Sequence, residues 1–227
     1  MSKCVFITGT GTDVGKTYVS GLIIKKMNEA LEGKCAYYKA AMSGNPKSEK
    51  GIIPMDALTV KNMSGIEQNL SDMYSYVYEN PYSPHLAAKE ENIPVDMKKV
   101  YSDFDALCQK YEYVTVEGAG GILCPLRFDE EKVQFTDFIK EKNLSCIIVA
   151  DAGLGTINYT GLTAYYMAKE GIKAEGIILN KFEAGNKMHE DNLKMCEYMT
   201  WLKVLGCIKK GDMDIDISFD TLKELYK

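Results

Sequence analysis

The chain is poor in the residues that build metal frameworks, disulfide frameworks and membrane spans. It has two histidines, His85 and His189, far apart in sequence, and one tryptophan. Its seven cysteines (4, 35, 108, 124, 146, 196 and 207) are odd in number and show no paired metal-ligand spacing. Most lie inside apolar runs such as Ser145-Cys146-Ile147-Ile148. Buried, reduced thiols of a cytoplasmic protein are therefore expected, not zinc sites or disulfides. No apolar run is long enough to cross a bilayer, so no membrane partner is expected. The opening Met-Ser-Lys-Cys-Val-Phe-Ile runs straight into a strand-like stretch, which predicts no secretory leader. Lys and Arg total 27 against 32 for Asp and Glu, a net charge of −5. That balance speaks against a broad nucleic-acid surface. There is no internal repeat and no low-complexity segment.

What is present is the balance of a soluble globular protein: 227 residues, 46% hydrophobic and 26% charged, enough for one α/β domain spanning 1–227. The chain is organised around Gly9-Thr10-Gly11-Thr12-Asp13-Val14-Gly15-Lys16-Thr17. The apolar run Val5-Phe6-Ile7 precedes it, and the helical pattern of Val19, Leu22, Ile23 and Met27 follows. Strand, Gly-rich turn and helix in that order make a phosphate-binding loop. Its backbone N–H groups turn inward, and the helix start adds the positive end of its dipole. Lys16 can reach terminal phosphates and the Thr17 hydroxyl can hold magnesium. Five residues separate Gly9 from Gly15, one more than the usual four. Thr10 stands in the usual glycine place. The stretch predicts a nucleoside triphosphate site.

Further along, Cys35-Ala36-Tyr37-Tyr38 reads as a strand running into a small-residue turn from Lys39 to Gly44. Residues 45–55 read as an exposed loop and Asp56 as the start of a short helix. Residues 64–84, rich in tyrosine, carry no clear pattern. Helical periodicity covers 96–110, 134–142, 157–170 and 187–200. Buried-strand runs stand at 113–116, 146–150 and 176–179, and residues 209–216 read as a solvated turn. Strands alternating with helices predict an α/β fold like that of P-loop nucleoside triphosphatases. It has one mostly parallel sheet covered by helices on both faces.

In such a sheet, ligands collect at the carboxyl ends of the strands. The polar residues falling there are Lys39 with Ser43, then Glu117 before Gly118-Ala119-Gly120-Gly121. Asp151 leads Gly155-Thr156-Ile157-Asn158, and Asn180 closes the set. Glu117 suits a second magnesium ligand or a water-holder, and Asp56 a further magnesium contact. The small residues after Glu117 let a substrate or phosphate approach the backbone. Lys39 can neutralise charge on the group that accepts the phosphoryl, and Ser43 can supply a directed hydrogen bond.

These stretches, together with Asp56-Ala57, Asn80-Pro81-Tyr82 and Ser83-Pro84-His85, resemble the dethiobiotin synthetase family from residue 2 to about 185. The five-residue loop spacing is part of that resemblance. It implies an ATP- and magnesium-dependent cyclo-ligase acting on diaminopelargonate and carbon dioxide. A carbamate forms on the 7-amino group, ATP phosphorylates it, and the 8-amino group closes the ureido ring with release of phosphate. By position, Lys16 and the amides of Asp13, Val14, Gly15, Thr17 and Tyr18 hold the phosphates. Thr17, Asp56 and Glu117 hold magnesium, with Gly118, Ala119 and Gly120 beside the nucleotide. Lys39 and Lys16 are the catalytic cations, Lys39 contacting the carbamate and the moving phosphoryl. Thr12 and Ser43 touch the substrate and Asn180 reads the adenine. The resemblance also implies a homodimer. In it the substrate carboxylate lies on the amides of Gly155, Thr156 and Asn158 from the other subunit, at a helix start that suits an anion. Ala40 stands where the family usually has proline, Lys181 where aspartate is frequent, and Lys209-Lys210-Gly211 where a proline and an apolar residue pack on the base.

Two other readings fit the loop. One is a partition or division-type switch ATPase. Such proteins carry a second lysine early in the loop, where Gly11 stands here, and the chain has no basic amphipathic C-terminal helix. The other is a kinase or ligase acting on another small acid, which Glu117 and Lys39 suit equally well by physics alone.

Overall fold

A computed structural model describes residues 2–227. The run Val5-Phe6-Ile7 lies inside β1 (Lys3–Gly9). Phe6 points into one core while Val5 and Ile7 point into another. A strand buried on both faces has no polar side, which is why the sequence reads there as a continuous apolar run. After the phosphate-loop turn come α1 (Lys16–Leu31), β2 (Cys35–Met42), a small hairpin of β3 (Lys47–Ser48) and β4 (Gly51–Ile52), and α2 (Met55–Ser64). Next are β5 (Tyr74–Val77), α3 (Pro84–Glu90), α4 (Met97–Lys110) and β6 (Tyr113–Glu117). A second hairpin, β7 (Pro125–Phe128) with β8 (Lys132–Gln134), leads to α5 (Phe135–Glu141) and β9 (Ser145–Asp151). The chain ends with α6 (Thr156–Lys169), β10 (Ala174–Asn180), α7 (Lys187–Thr200), β11 (Val204–Ile208) and α8 (Phe219–Leu225).

Among the described residues, seven strands form one sheet in the order β11-β10-β9-β1-β6-β2-β5, every pair parallel. Helices α1, α2 and α8 supply the core on one face through residues such as Leu22, Val60 and Leu222. Helices α3 to α7 cover the other, with Ala87, Phe104, Phe138, Met167 and Cys196. The α/β architecture read from the sequence is the one observed. With β1 central, its carboxyl end opens between β6 and β9, where the phosphate loop, Glu117 and Asp151 come together.

The structure departs from the sequence reading in several places. Strand β2 continues through Met42, so Lys39 is a mid-strand residue and not the start of a turn. The extension is paired by β5, with Lys39 opposite Tyr74 and Ala41 opposite Tyr76. β5 itself lay in the tyrosine-rich stretch that had no pattern. The loop over 45–55 is exposed for most of its length but begins with buried Asn45 and holds the β3–β4 hairpin. β11, the β7–β8 hairpin and α8 had no sequence signal, being short and mixed in polarity. All seven cysteines are free. Among the described residues, no helix is long and apolar enough to cross a membrane.

Candidate active site

The loop between β1 and α1 takes two left-handed turns, at Asp13 (φ 60°) and Gly15 (φ 97°). Gly15 is required twice over. Its φ disfavours any side chain, and a Cβ there would stand 2.0 Å from Asn180 Nδ2. That amide nitrogen donates to the Val14 carbonyl at 2.9 Å, so the end of β10 pins the loop from behind. Lys181 Nζ donates to the Asp13 carbonyl (3.1 Å) and pairs with Asp151 Oδ2 (2.7 Å), bracing the outer turn. The lysine at 181 thus acts on the loop itself.

Lys16 is buried, and its Nζ donates to the Gly11 carbonyl at 2.8 Å. Burial, with the nearby Lys39 charge, pulls its pKa down to about 8. An ammonium so poised gains most from an anion in the loop.

The second feature is a compact charge cluster. Glu117 ends β6 opposite Ile7 of β1 and is fully buried. Its Oε1 accepts from Lys39 Nζ (2.6 Å) and from the Thr17 hydroxyl (2.8 Å). Its Oε2 accepts from the Tyr37 hydroxyl at 2.9 Å. Lys39 Nζ also donates to Asp56 Oδ2 at 2.6 Å. Asp56 sits in the first turn of α2, whose start is fixed by Asn45 Oδ1 accepting from the Met55 N–H (2.9 Å). Burial alone would lower the Lys39 pKa, but the Glu117 and Asp56 carboxylates outweigh it and hold the ammonium above the ordinary lysine range. Burial likewise pushes the Asp56 carboxyl up, and Lys39 more than offsets it, leaving it below the usual range.

Around this cluster opens a cavity of about 590 Å³. Of the residues singled out from the sequence, Thr12, Asp13, Gly15, Lys16, Thr17 and Tyr18 line its loop side; Lys39, Ser43, Asp56, Glu117, Ala119 and Gly120 line the rest. The Ser43 hydroxyl is buried there with no hydrogen-bond partner among the described residues, a donor left for a ligand. Gly118 faces away, packed where a Cβ would lie 2.9 Å from the Phe6 ring. Val14 is part of the loop itself, and Asn180 stands behind it. Thr156 lines an adjoining groove of about 360 Å³, shared with Thr12 and Asp13. Gly155 caps α6 at φ 91° and Asn158 is exposed. Tyr82, from the Asn80-Pro81-Tyr82 stretch, also lines the cavity, whereas sequence reasoning passed over Tyr37, Thr59 and Cys124. Tyr37 had one available signal: it stands two residues before Lys39 and so shares its strand face.

The residues at the cluster fit magnesium. The donors are all oxygen: one hydroxyl and two carboxylates. Among the described residues, no group of three or more His, Cys, Asp or Glu converges into a protein cage. A small cation that keeps waters and phosphate oxygens as further ligands suits such a half-shell. Lys39 already shows that the two carboxylates are satisfied by positive charge at that point.

A parallel sheet with a glycine-rich loop after its central strand, a loop lysine and hydroxyl, and an acid at the next strand end defines a phosphate-loop nucleotide-binding protein. A family model described as an AAA domain matches residues 3–212. In fold the chain resembles the MinC:MinD cell division complex of Aquifex aeolicus, with TM-score 0.52 and 13% identity over 92% of this chain and 82% of that one. It is 46% identical over 226 residues to an ATP-dependent dethiobiotin synthetase of Clostridium perfringens, covering 99% of this chain and 97% of the relative. It is also 46% identical over 218 residues to the enzyme of that name from Brachyspira hyodysenteriae, covering 95% and 96%. The chain belongs to the dethiobiotin synthetase family.

Proposed function

We propose that the whole chain works as one unit catalysing the ATP- and magnesium-dependent carboxylation and ring closure of diaminopelargonate with carbon dioxide. The products are dethiobiotin, ADP and phosphate. The observation that carries this reading is the Lys39–Glu117–Asp56–Thr17 cluster, standing beside the phosphate loop in a cavity that extends past it to Ser43, Pro81 and Tyr82. A nucleotide switch needs the loop alone. A group-transfer enzyme needs a cavity beyond it for the acceptor.

The residues divide the work by position. Backbone amides from Asp13 to Tyr18 and the Lys16 ammonium bind the triphosphate, and the loop's rigid bracing by Asn180 and Lys181 holds them in place. Thr17, Asp56 and Glu117 would hold magnesium, which when bound supplies charge neutralisation at the phosphates. Thr12 and Ser43 orient the diamine, the free Ser43 hydroxyl being the directed contact. In the chemistry assigned to this site, the 7-amino nitrogen bonds to carbon dioxide and loses a proton. A carbamate oxygen takes the γ-phosphoryl from ATP, and ADP leaves. The 8-amino nitrogen then attacks the carbonyl carbon and phosphate leaves with that oxygen. Lys39 stabilises the charge that gathers on the carbamate and the moving phosphoryl.

Homodimerisation is part of the proposal. Leu154, Tyr159, Leu162 and Tyr165 are exposed on α6 and the turn before it, an apolar face of the kind that pairs between copies. The α6 start would then present its amides to the substrate carboxylate of the other subunit. The test is phosphate release from ATP with magnesium, with and without the diamine and bicarbonate. Release that requires both is expected, and release indifferent to the diamine would overturn the reading.

A further inference from the structure

The two oxygens of Glu117 have different partners. Oε1 faces the phosphate-loop side, where Thr17 and Lys39 reach it. Oε2 is taken by Tyr37, whose ring is fully buried and whose hydroxyl donates there at 2.9 Å. Tyr37 is in turn held by its own backbone. Strand β5 pairs with β2 only from Lys39 onward, which leaves the Tyr37 peptide at an open strand edge. The buried Gln68 side chain closes that edge: Tyr37 N–H donates to Gln68 Oε1 and Gln68 Nε2 donates to the Tyr37 carbonyl, both at 2.9 Å. An amide side chain here does what a neighbouring strand would do. The series Gln68, Tyr37, Glu117 runs from the loop after α2 to the cluster at the phosphate loop.

We propose that Tyr37 is a positioning residue for the metal site. Its hydroxyl occupies Oε2, leaving Oε1 as the single Glu117 oxygen offered to the cation, and Gln68 keeps the tyrosine in register. The inference rests on the reading of Glu117 as a magnesium ligand. The Tyr37 hydroxyl thereby bears on metal choice. Magnesium takes one oxygen from a carboxylate and keeps its waters, whereas calcium readily takes both. A carboxylate whose Oε2 is held by a buried tyrosine, with only Oε1 on the loop side, favours the smaller ion. A tyrosine that merely filled the core would leave that preference untouched.

The test is Tyr37→Phe, which keeps the ring and removes the hydroxyl. Calorimetry reads magnesium and calcium binding to the protein carrying the β,γ-methylene analogue of ATP. Losing an outer partner of a metal ligand weakens binding by about 10- to 100-fold, so magnesium should weaken by about tenfold. Calcium should hold or tighten, and the magnesium-to-calcium preference should fall by about tenfold. In a Glu117→Gln background the same change should have no further effect, because the tyrosine acts through that carboxylate. An unchanged preference in folded Tyr37→Phe, or a full-sized effect persisting with Glu117→Gln, overturns the inference. Glu117→Gln alone leaving magnesium binding intact would instead bring down the ligand reading, and the inference with it. If Tyr37→Phe does not fold, Gln68→Met reads the same preference with the hydroxyl kept. A smaller drop is expected there, and none would contradict the proposal.

Discussion

Lys39 occupies the position of a cation. Its Nζ lies 2.6 Å from an oxygen of Asp56 and 2.6 Å from one of Glu117, and its side chain is 6% exposed. Any metal that binds those oxygens must move an ammonium aside, so that displacement enters the magnesium affinity. Lys39→Met keeps most of the stem and removes the charge. Without metal, the buried Glu117 loses its ion partner, a loss of about 3–5 kcal/mol of stability. Asp56, with 34% of its side chain exposed, adds little because water screens it. Unit charges about 4 Å apart at an effective dielectric of about 20 attract by about 4 kcal/mol. Rehydration of the displaced ammonium offsets much of this. A surplus of about 1.4–2.8 kcal/mol corresponds to magnesium binding about 10- to 100-fold tighter in the variant. Turnover should fall about 10²–10³-fold, as when one positioned charge is removed from a transition state. ATP affinity, set by the loop, should hardly change. The assay is thermal melting across a magnesium titration, paired with phosphate release. A Lys39→Met protein that binds magnesium no tighter than the parent, and gains no more melting temperature from it, would show that the ammonium does not compete with the metal.

Other expectations follow from the loop and the outer face. Lys16 has a pKa lowered to about 8 in the free site, and a bound triphosphate favours its charged form. ATP affinity should therefore fall as pH rises through 8. Near that pH, binding should take up about half a proton, read from calorimetric heats in buffers of different ionisation enthalpy; flat affinity from about pH 7 to 9 without uptake would contradict this. Gly15→Ala places a Cβ against Asn180 at φ 97°, so nucleotide binding should be lost together with about 2 kcal/mol or more of stability. Parent-like ATP affinity in that variant would be the contrary result. The parent should sediment as a two-chain particle and Leu162→Glu, on the exposed face of α6, as one chain with a raised diamine KM. A parent that sediments as a single chain at micromolar concentration would remove the cross-subunit carboxylate site.

The central strands and the loop were legible because their physics is local. β1, β6, β9 and β10 are buried on both faces and read as apolar runs, and the glycines of the loop stand between a strand and a helix. The edges were not. β5 is four residues of alternating tyrosine and small residues, and β11 contains a glycine. Both exist because a long neighbour already offers an unpaired edge. The same applies to the site. Lys16, Thr17 and Glu117 follow from motif and strand end, while Tyr37 and Gln68 gain their roles only through pairings across 80 and 31 residues of chain. Lys39 was found, but its place inside β2 depended on a β5 that the pattern hid.

The fate of the bicarbonate carbon separates ring closure from plain nucleotide hydrolysis most directly. With ATP, magnesium, the diamine and carbon-labelled bicarbonate, mass spectrometry should find a cyclic urea carrying one labelled carbon, formed in step with phosphate. Phosphate released with no labelled cyclic product would leave a nucleotide-hydrolysing phosphate loop and contradict the ring-closing function.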